Sequence, residues 1–345
     1  MPLPDLQQHL PALQHWIDGQ VPTLGKLLTL EPITGGFSNL TFRLTSSKGT
    51  HILRMPPPGS SVKTAHDMGR EFRVLSALRP HYQLVPEPLG YCEDNSVLGA
   101  PFYIMEALQG TVLRPGMERV KNISADQFHH LSQLLFSNLA NLHAIDIDTT
   151  QLAQLGKPEG YVQRQVTGWT DRYYKSETDA LIDMNVLAEW LGKQSPRSQK
   201  ATLLHNDYKY DNLLFDSEQL STITGVLDWE MSTVGDPLMD LGAALAYWFE
   251  AGDNKAFRTY NISWLPGNLS RQECADWYAE KSGRNLQDLL FYYVFGLFKN
   301  AVIVQQIYYR WKKGLHPDNR FASLIELVKL LGRHGGETLD KNRIS

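Results

Sequence analysis

Between two apolar runs, Leu203-Leu204 and Leu213-Leu214-Phe215, the chain places His205, Asn206, Asp207, Lys209, Asp211 and Asn212 within eight positions. Asp207 precedes Asn212 by five residues, and a further carboxylate, Asp228, follows in the strand-like run GVLDWE. Phosphoryl transfer asks little covalent chemistry of a protein. It needs a carboxylate to accept a hydroxyl proton and oxygen ligands to hold Mg²⁺ across the phosphates. An Asp in a loop, an Asn shortly after it and a second Asp beyond supply those parts, and magnesium takes such hard oxygen donors. Asp and Asn are also turn formers. The loop by itself leaves a solvated turn and a chemical loop both open.

The first hundred residues carry a second set of groups. ITGGFSNLTFRL sets Gly35 and Gly36 between two strand-like pieces, with Ser38 and Asn39 behind them. Glycines allow tight turns, and exposed backbone N–H groups can cradle phosphate oxygens. Arg54 ends the strand-like HILR, where a cation could reach phosphates, and Glu71 on the next helix could pair with it. Singly these are hairpin glycines and surface charges; their order along the chain gives them weight.

Those groups need elements to position them. Leu6, Leu10, Leu13 and Ile17 recur at helical spacing. LEPITGG, NLTFRLTS and THILRM read as strands, the last two joined by a Ser47-Lys48-Gly49 turn. Pro56, Pro57, Pro58 and Gly59 break the pattern before a helix over 63–78 with Met68, Phe72, Leu75 and Leu78 on one face. Strands are expected near 88–93 and 100–105. After Gly110 helices dominate: Ser124 and Gln127 form a capping box ahead of Phe128, Leu131, Leu135, Leu139 and Leu142. Further helical patterns cover 161–191 and 236–331, with a short strand in TITGVLDW, and RHGGETLDKNRIS reads as a frayed polar tail. The fold class is therefore α+β: a β-rich first lobe over 1–107, a mostly helical second lobe over 108–345, and a hinge at MEALQG.

Composition narrows the partners. The 345 residues are 42% hydrophobic and 20% charged with a net charge of −4, so no global basic field argues for nucleic acid. Cys92 and Cys274 stand far apart in no metal-like spacing, which points to a reducing cytoplasm. The N-terminus lacks a basic start and apolar run, so no signal peptide is expected. The apolar stretch from Leu289 to Trp311 is interrupted by Lys299, Asn300, Gln305 and Gln306, and reads as a buried core helix rather than a membrane span.

Glycine turn, strand cation, helix glutamate, hinge, HxDxxxxN loop and strand-end Asp, in that order, resemble the aminoglycoside phosphotransferase and choline kinase family. HNDYKYDNLLFD is similar to its catalytic loop, and LDWEMSTVGDPLMDL to its metal segment; GGFSN, REFRVL, PFYIMEALQG and LHAID also match in order. The resemblance runs from about Ile33 to Phe321 and implies a two-lobed protein-kinase-like fold. It implies an ATP- and Mg²⁺-dependent kinase acting on a hydroxyl of a small molecule. Asp207 would be the base, with Lys209 at the transferring phosphate. Asn212 and Asp228 would ligate Mg²⁺. Gly35, Gly36, Phe37, Ser38 and Asn39 would cover the phosphates, Arg54 and Glu71 would hold them, and backbone groups of Glu106 and Ala107 would take the adenine. Many relatives have lysine where this chain has Arg54. His205 and Asp240 are expected to support the loop, and Asp236 to cap a helix started by Pro237.

Two other readings compete. A metal-dependent hydrolase built on His205, Asp207, Asp211 and Asp228 would not need the first lobe's groups. A pseudokinase would bind nucleotide without turnover, although Asp207, Asn212 and Asp228 are all present. For the acceptor, Arg164, Arg172, Lys175, Lys255, Arg258, Arg271, Arg310, Lys312 and Lys313 leave room for an anion rather than a polycation. FYYVFGLFKNAVIVQQIYYRWKKG resembles the branch related to kinase domains fused to acyl-CoA dehydrogenases, which makes a hydroxyacyl-CoA a candidate. The expected partner is that small molecule alone, with no nucleic acid or membrane, and the protein a monomer or homodimer.

Overall fold

A computed structural model describes residues 6–33, 39–57, 67–315 and 318–344. Gly35, Gly36, Phe37 and Ser38 lie outside the described residues, as does the first part of the helix expected from Lys63. The chain divides into two compact units, one of residues 1–110 with 224–230, the other of 111–223 with 231–345.

In the first unit, helix α1 (Leu10–Gln20) precedes strands β1 (Leu27–Ile33), β2 (Leu40–Ser46) and β3 (Gly49–Met55). Helix α2 (Met68–Leu78) follows, then β4 (Pro88–Cys92), a single turn α3 (Asn95–Leu98) and β5 (Phe102–Glu106). The strands form an antiparallel sheet in the order β1-β2-β3-β5-β4. Side chains alternate between the faces of a strand, and that period sorts the sheet. Phe42, Leu44, Leu53, Met55, Phe102 and Ile104 join Leu13 and Ile17 of α1 in one core. Arg54 and Tyr103, paired across β3 and β5, take the other face, where Phe72 of α2 meets the Tyr103 ring edge-on at 6.3 Å. Asp67 caps α2 by accepting the Arg70 amide.

The returning segment 224–230 holds most of strand β8 (Ile223–Val226), which follows six elements of the second unit given below, four helices and two strands. The Val226 amide donates to the Leu84 carbonyl at 2.6 Å, the Thr224 hydroxyl to the Gln109 carbonyl, and the Trp229 ring packs on Tyr82.

The second unit is helical. After a single turn α4 (Glu118–Lys121) come α5 (Ala125–His143), opened by the Ser124–Gln127 capping box, α6 (Tyr161–Lys175) and α7 (Ile182–Lys193). Strands β6 (Thr202–Leu204), β7 (Leu213–Phe215) and β9 (Thr233–Gly235) are short, and β6 pairs antiparallel with β9. Helices α8 (Pro237–Ala246), α9 (Arg271–Ser282), α10 (Leu289–Lys312) and α11 (Leu324–Lys341) complete it. Among the described residues α10 is the one helix long and apolar enough to cross a membrane, and most of its apolar window is buried inside the protein.

The expected frayed tail is corrected. RHGGETLDK continues α11 to Lys341, burying Gly335 and Thr338. Gly335 lies against the Leu187 side chain of α7, His334 bonds the Tyr293 hydroxyl at 2.9 Å, and the Ile344 carbonyl accepts from Arg271 at 2.6 Å. Polar composition misled because the buried partners, a tyrosine and an arginine, are themselves polar.

Helices α8 and α10 cross at Gly242 and Gly296. A methyl group on Gly242 would run into the Tyr292 backbone, and one on Gly296 into the Gly242 carbonyl. Overpacking a tight site costs about 1–3 kcal/mol, so Gly242→Ala should lose that much in urea denaturation. An unchanged midpoint would contradict the close crossing.

Candidate functional site

The polar loop begins where β6 ends at Leu204, and its geometry is set by a fully buried carboxylate, Asp240 in the first turn of α8. Asp240 accepts the His205 amide at 2.6 Å and the Asn206 amide at 2.8 Å. His143, the last residue of α5, adds a third contact at 3.2 Å. An ionised carboxylate only accepts, so Nε2 of His143 donates to it and Nδ1 accepts from the Tyr278 hydroxyl at 2.7 Å. Burial lowers the His143 pKa and keeps the ring neutral. Burial also pushes Asp240 up, but His143 and the loop amides outweigh it, and the carboxyl stays below its ordinary value. The helix is capped as expected: Asp236 accepts the Leu238 amide at 2.9 Å, and also the Gln199 amide and the Tyr292 hydroxyl.

Asn206 adopts a left-handed backbone, φ +66°, which costs a non-glycine residue on the order of 1–3 kcal/mol unless its surroundings enforce it. They do. Its amide goes to Asp240, its side chain donates to the Met231 carbonyl at 3.1 Å, and its carbonyl accepts from Lys299 at 2.7 Å. His205 is buried, and its Nδ1 accepts the Asp207 amide at 3.2 Å, the supporting role expected of it.

The structure brings Asp207, Lys209 and Asn212 together. Lys209 Nζ donates to both Asp207 carboxylate oxygens at 2.9 and 2.8 Å. Asn212 Nδ2 donates to the Asp207 carbonyl and to Oδ2, each at 2.8 Å. Burial works upward on the Asp207 carboxyl, but Lys209 more than offsets it and holds the group ionised. Burial likewise works to lower Lys209, and Asp207 with Tyr247 raises it instead. The ammonium also sits 4.5 Å over the Tyr247 ring. Burial raises Asp211, whose buried Oδ1 has no hydrogen-bond partner among the described residues.

In the first unit Arg54 is the centre. Its Nη1 meets Glu71 Oε1 at 2.7 Å, and its Nη2 meets Asp228 Oδ1 at 3.2 Å and Glu230 Oε2 at 3.8 Å. Burial alone would lower the guanidinium; Glu71 and the other two carboxylates hold it well above its ordinary value. The planar fork spans Glu71 and Asp228 at once, which the point charge of a lysine does not do. Asn39 donates to Glu230 at 2.9 Å, so Asn39 is tied to this cluster. Asp228 has φ +67°. Glu106 ends β5; its amide donates to the Glu87 carbonyl at 2.9 Å, and its side chain pairs with Arg79 at 3.4 Å. The Ala107 carbonyl accepts from Gln109 at 3.4 Å.

Sequence reasoning missed Lys299, Tyr247 and the Asn39–Glu230 link. Lys299 did leave a signal, a lone lysine in an apolar helix, but it was read only as evidence against a membrane span. The basic residues counted for the acceptor are largely engaged. Arg271 is held by Asp253 at 2.5 Å and Glu250 at 3.2 Å, Lys312 by Asp179 at 2.9 Å, and Arg164 by the Glu159 and Lys157 carbonyls.

Asp240→Asn keeps the shape but sets an amide N–H₂ against one of three donors. A hydrogen bond to a buried charge is worth about 1.5–3 kcal/mol, so the variant should lose roughly that at pH 7 in urea denaturation. The wild-type advantage is present above the ordinary carboxylate pKa and shrinks as acid protonates Asp240 below it. A pH-independent difference would refute that role.

The sequence profile of the Phosphotransferase enzyme family matches residues 29–277. The human acyl-CoA dehydrogenase family member 11 is 34% identical over 311 residues, which is 89% of this chain and 40% of that protein. The chain thus spans about 40% of the length of such curated relatives. A Ralstonia eutropha protein assigned as an aminoglycoside phosphotransferase superposes with a TM-score of 0.81 at 30% identity, covering 96% of this chain and 98% of that one. Choline kinase from Cryptosporidium parvum shares the fold, with a TM-score of 0.65 at 12% identity over 96% of this chain and 97% of its own.

Proposed function

The chain belongs to the phosphotransferase enzyme family, and from that premise we propose that it is an ATP- and Mg²⁺-dependent kinase for a small-molecule hydroxyl. The observation that supports this best is Asp207. It is an ionised carboxylate on a loop whose backbone is pinned on both sides, with a cation and an amide already aimed at it. In this reading residues 1–107 are the nucleotide-binding lobe and 108–345 the catalytic and acceptor lobe.

Asp207 accepts the proton of the acceptor hydroxyl as the hydroxyl oxygen attacks the terminal phosphorus of ATP, the bond from that phosphorus to the bridging oxygen breaks, and ADP leaves with its electron pair. Lys209, resting on Asp207, offers its ammonium to the transferring phosphate. Arg54, held in place by Glu71, offers guanidinium charge to the other phosphates, and Asn39 with 35–38 covers them. The Glu106 amide is engaged by Glu87, so the adenine falls to Ala107 and the Glu106 carbonyl. Magnesium is assigned to Asn212 and Asp228. The donor chemistry fits: Asn212 turns its Nδ2 to Asp207 and keeps an amide oxygen, and Asp228 engages Arg54 through one oxygen only. When bound, the ion offsets phosphate charge.

For the acceptor, the kinship with acyl-CoA dehydrogenase family member 11 supports a hydroxyacyl-CoA or a related hydroxy-acid derivative. The reading includes no nucleic-acid or membrane partner, a monomer or homodimer, and a cytoplasmic location.

Asp207→Asn should fold and bind nucleotide normally while kcat falls on the order of 10²–10⁴-fold; an unchanged rate would remove Asp207 from the chemistry. An ADP-release screen over hydroxyacyl-CoAs, choline-like alcohols and aminoglycosides identifies the acceptor. No ADP above background with any of them would leave a nucleotide-binding pseudokinase.

A further inference from the structure

Lys299 is 3% exposed in the middle of the 24-residue α10. Burial pushes its pKa down to about 8, and among the described residues it forms no ion pair. A methionine would fill the same space without desolvating a charge. What the ammonium does have is the Asn206 carbonyl at 2.7 Å, with the Trp169 ring of α6 at 5.9 Å. Among the described residues, the charged groups acting on it are Asp207 and Lys209 of the loop and Asp240 of α8.

The contact falls on one particular peptide. The Asn206 carbonyl and the Asp207 amide belong to the same plane. Lys299 holds its oxygen, and His205 Nδ1 accepts its N–H at 3.2 Å. A plane held at both ends cannot rotate, and rotation there is what would swing the Asp207 side chain. The side chain of Asp207 meets Lys209 and Asn212, the groups assigned to phosphate and metal, and the Tyr247 hydroxyl after α8. The backbone clamp is independent of them.

We propose that Lys299 is a positioning residue that locks the Asn206–Asp207 peptide and thereby aims the Asp207 carboxylate, an inference that rests on Asp207 being the base. The test compares wild type with Lys299→Met, Lys299→Gln and Lys299→Arg by two readouts. Hydrogen–deuterium exchange over 203–213 should quicken about tenfold or more in Lys299→Met while α5 stays protected. ADP release with the accepted hydroxyl substrate should show kcat down about 10²-fold, with the KM for ATP unchanged and part of the rate restored by Lys299→Arg. Wild-type kcat should fall as pH rises through about 8, and the Met variant should lack that limb. If Lys299→Met does not fold, Lys299→Leu, which likewise removes the donor, carries the same comparison, and Lys299→Gln, which keeps a donor without charge, should fall between it and wild type. Unchanged loop exchange in a folded variant overturns the proposal, as does a kcat that keeps the wild-type pH profile. A wild type that releases no ADP refutes the kinase reading instead, and the exchange result still decides whether Lys299 holds the loop.

Discussion

Two backbone amides and a neutral imidazole converge on the Asp240 carboxylate, and the loop around Asp207 depends on that convergence. A buried carboxylate left alone would be heavily penalised; three donors make it an anchor. The donors come from separated stretches of chain, His143 at the end of α5 and His205 and Asn206 after β6. Their shared acceptor fixes where β6 ends relative to α8. The close crossing of α8 and α10 at Gly242 and Gly296 then sets the helix that carries Asp240 against the one that carries Lys299. Left-handed Asn206 is the local cost of this arrangement, absorbed by contacts from α8, α10 and Met231.

The first unit solves a comparable problem with one cation. Arg54 stands on the sheet face opposite the α1 core, because the two-residue period of β3 gives Leu53 and Met55 to that core. Its partners are Glu71 on α2 and two carboxylates from the returning segment 224–230. That segment is short and distant in sequence, so the ion cluster and the Val226–Leu84 bond together hold it in the unit. Burying one cation among three carboxylates leaves excess negative charge. Glu71, the most deeply buried of the three, answers it with a pKa that burial raises above the ordinary value.

Much of this was legible in the sequence, for identifiable reasons. Strand alternation, helical spacing and the Ser124–Gln127 capping box are local signals, and the elements they announce are present. The Arg54–Glu71 pair was legible because a known family order supplied the long-range contact that spacing cannot. The helical tail was not legible, since its burial depends on Arg271, Tyr293 and Leu187, all distant in sequence. Lys299 and the Asn39–Glu230 bond were hidden for the same reason: their partners lie 93 and 191 residues away.

The engaged surface charge changes how an acceptor should be sought. A count of basic residues treats each as available, yet Arg271 is spent on Glu250, Asp253 and the Ile344 carbonyl, and Arg164 on two carbonyls of the segment before α6. Arg172 stacks on Trp169 with its guanidinium 4.8 Å from the ring, and Lys299 approaches the same indole. Trp169 is thus flanked by two cations on α6 and α10, one exposed and one buried. Of the two, Lys299 is already committed to the Asn206 carbonyl and Arg172 rests on the indole, so a count of charges overstates what either has free.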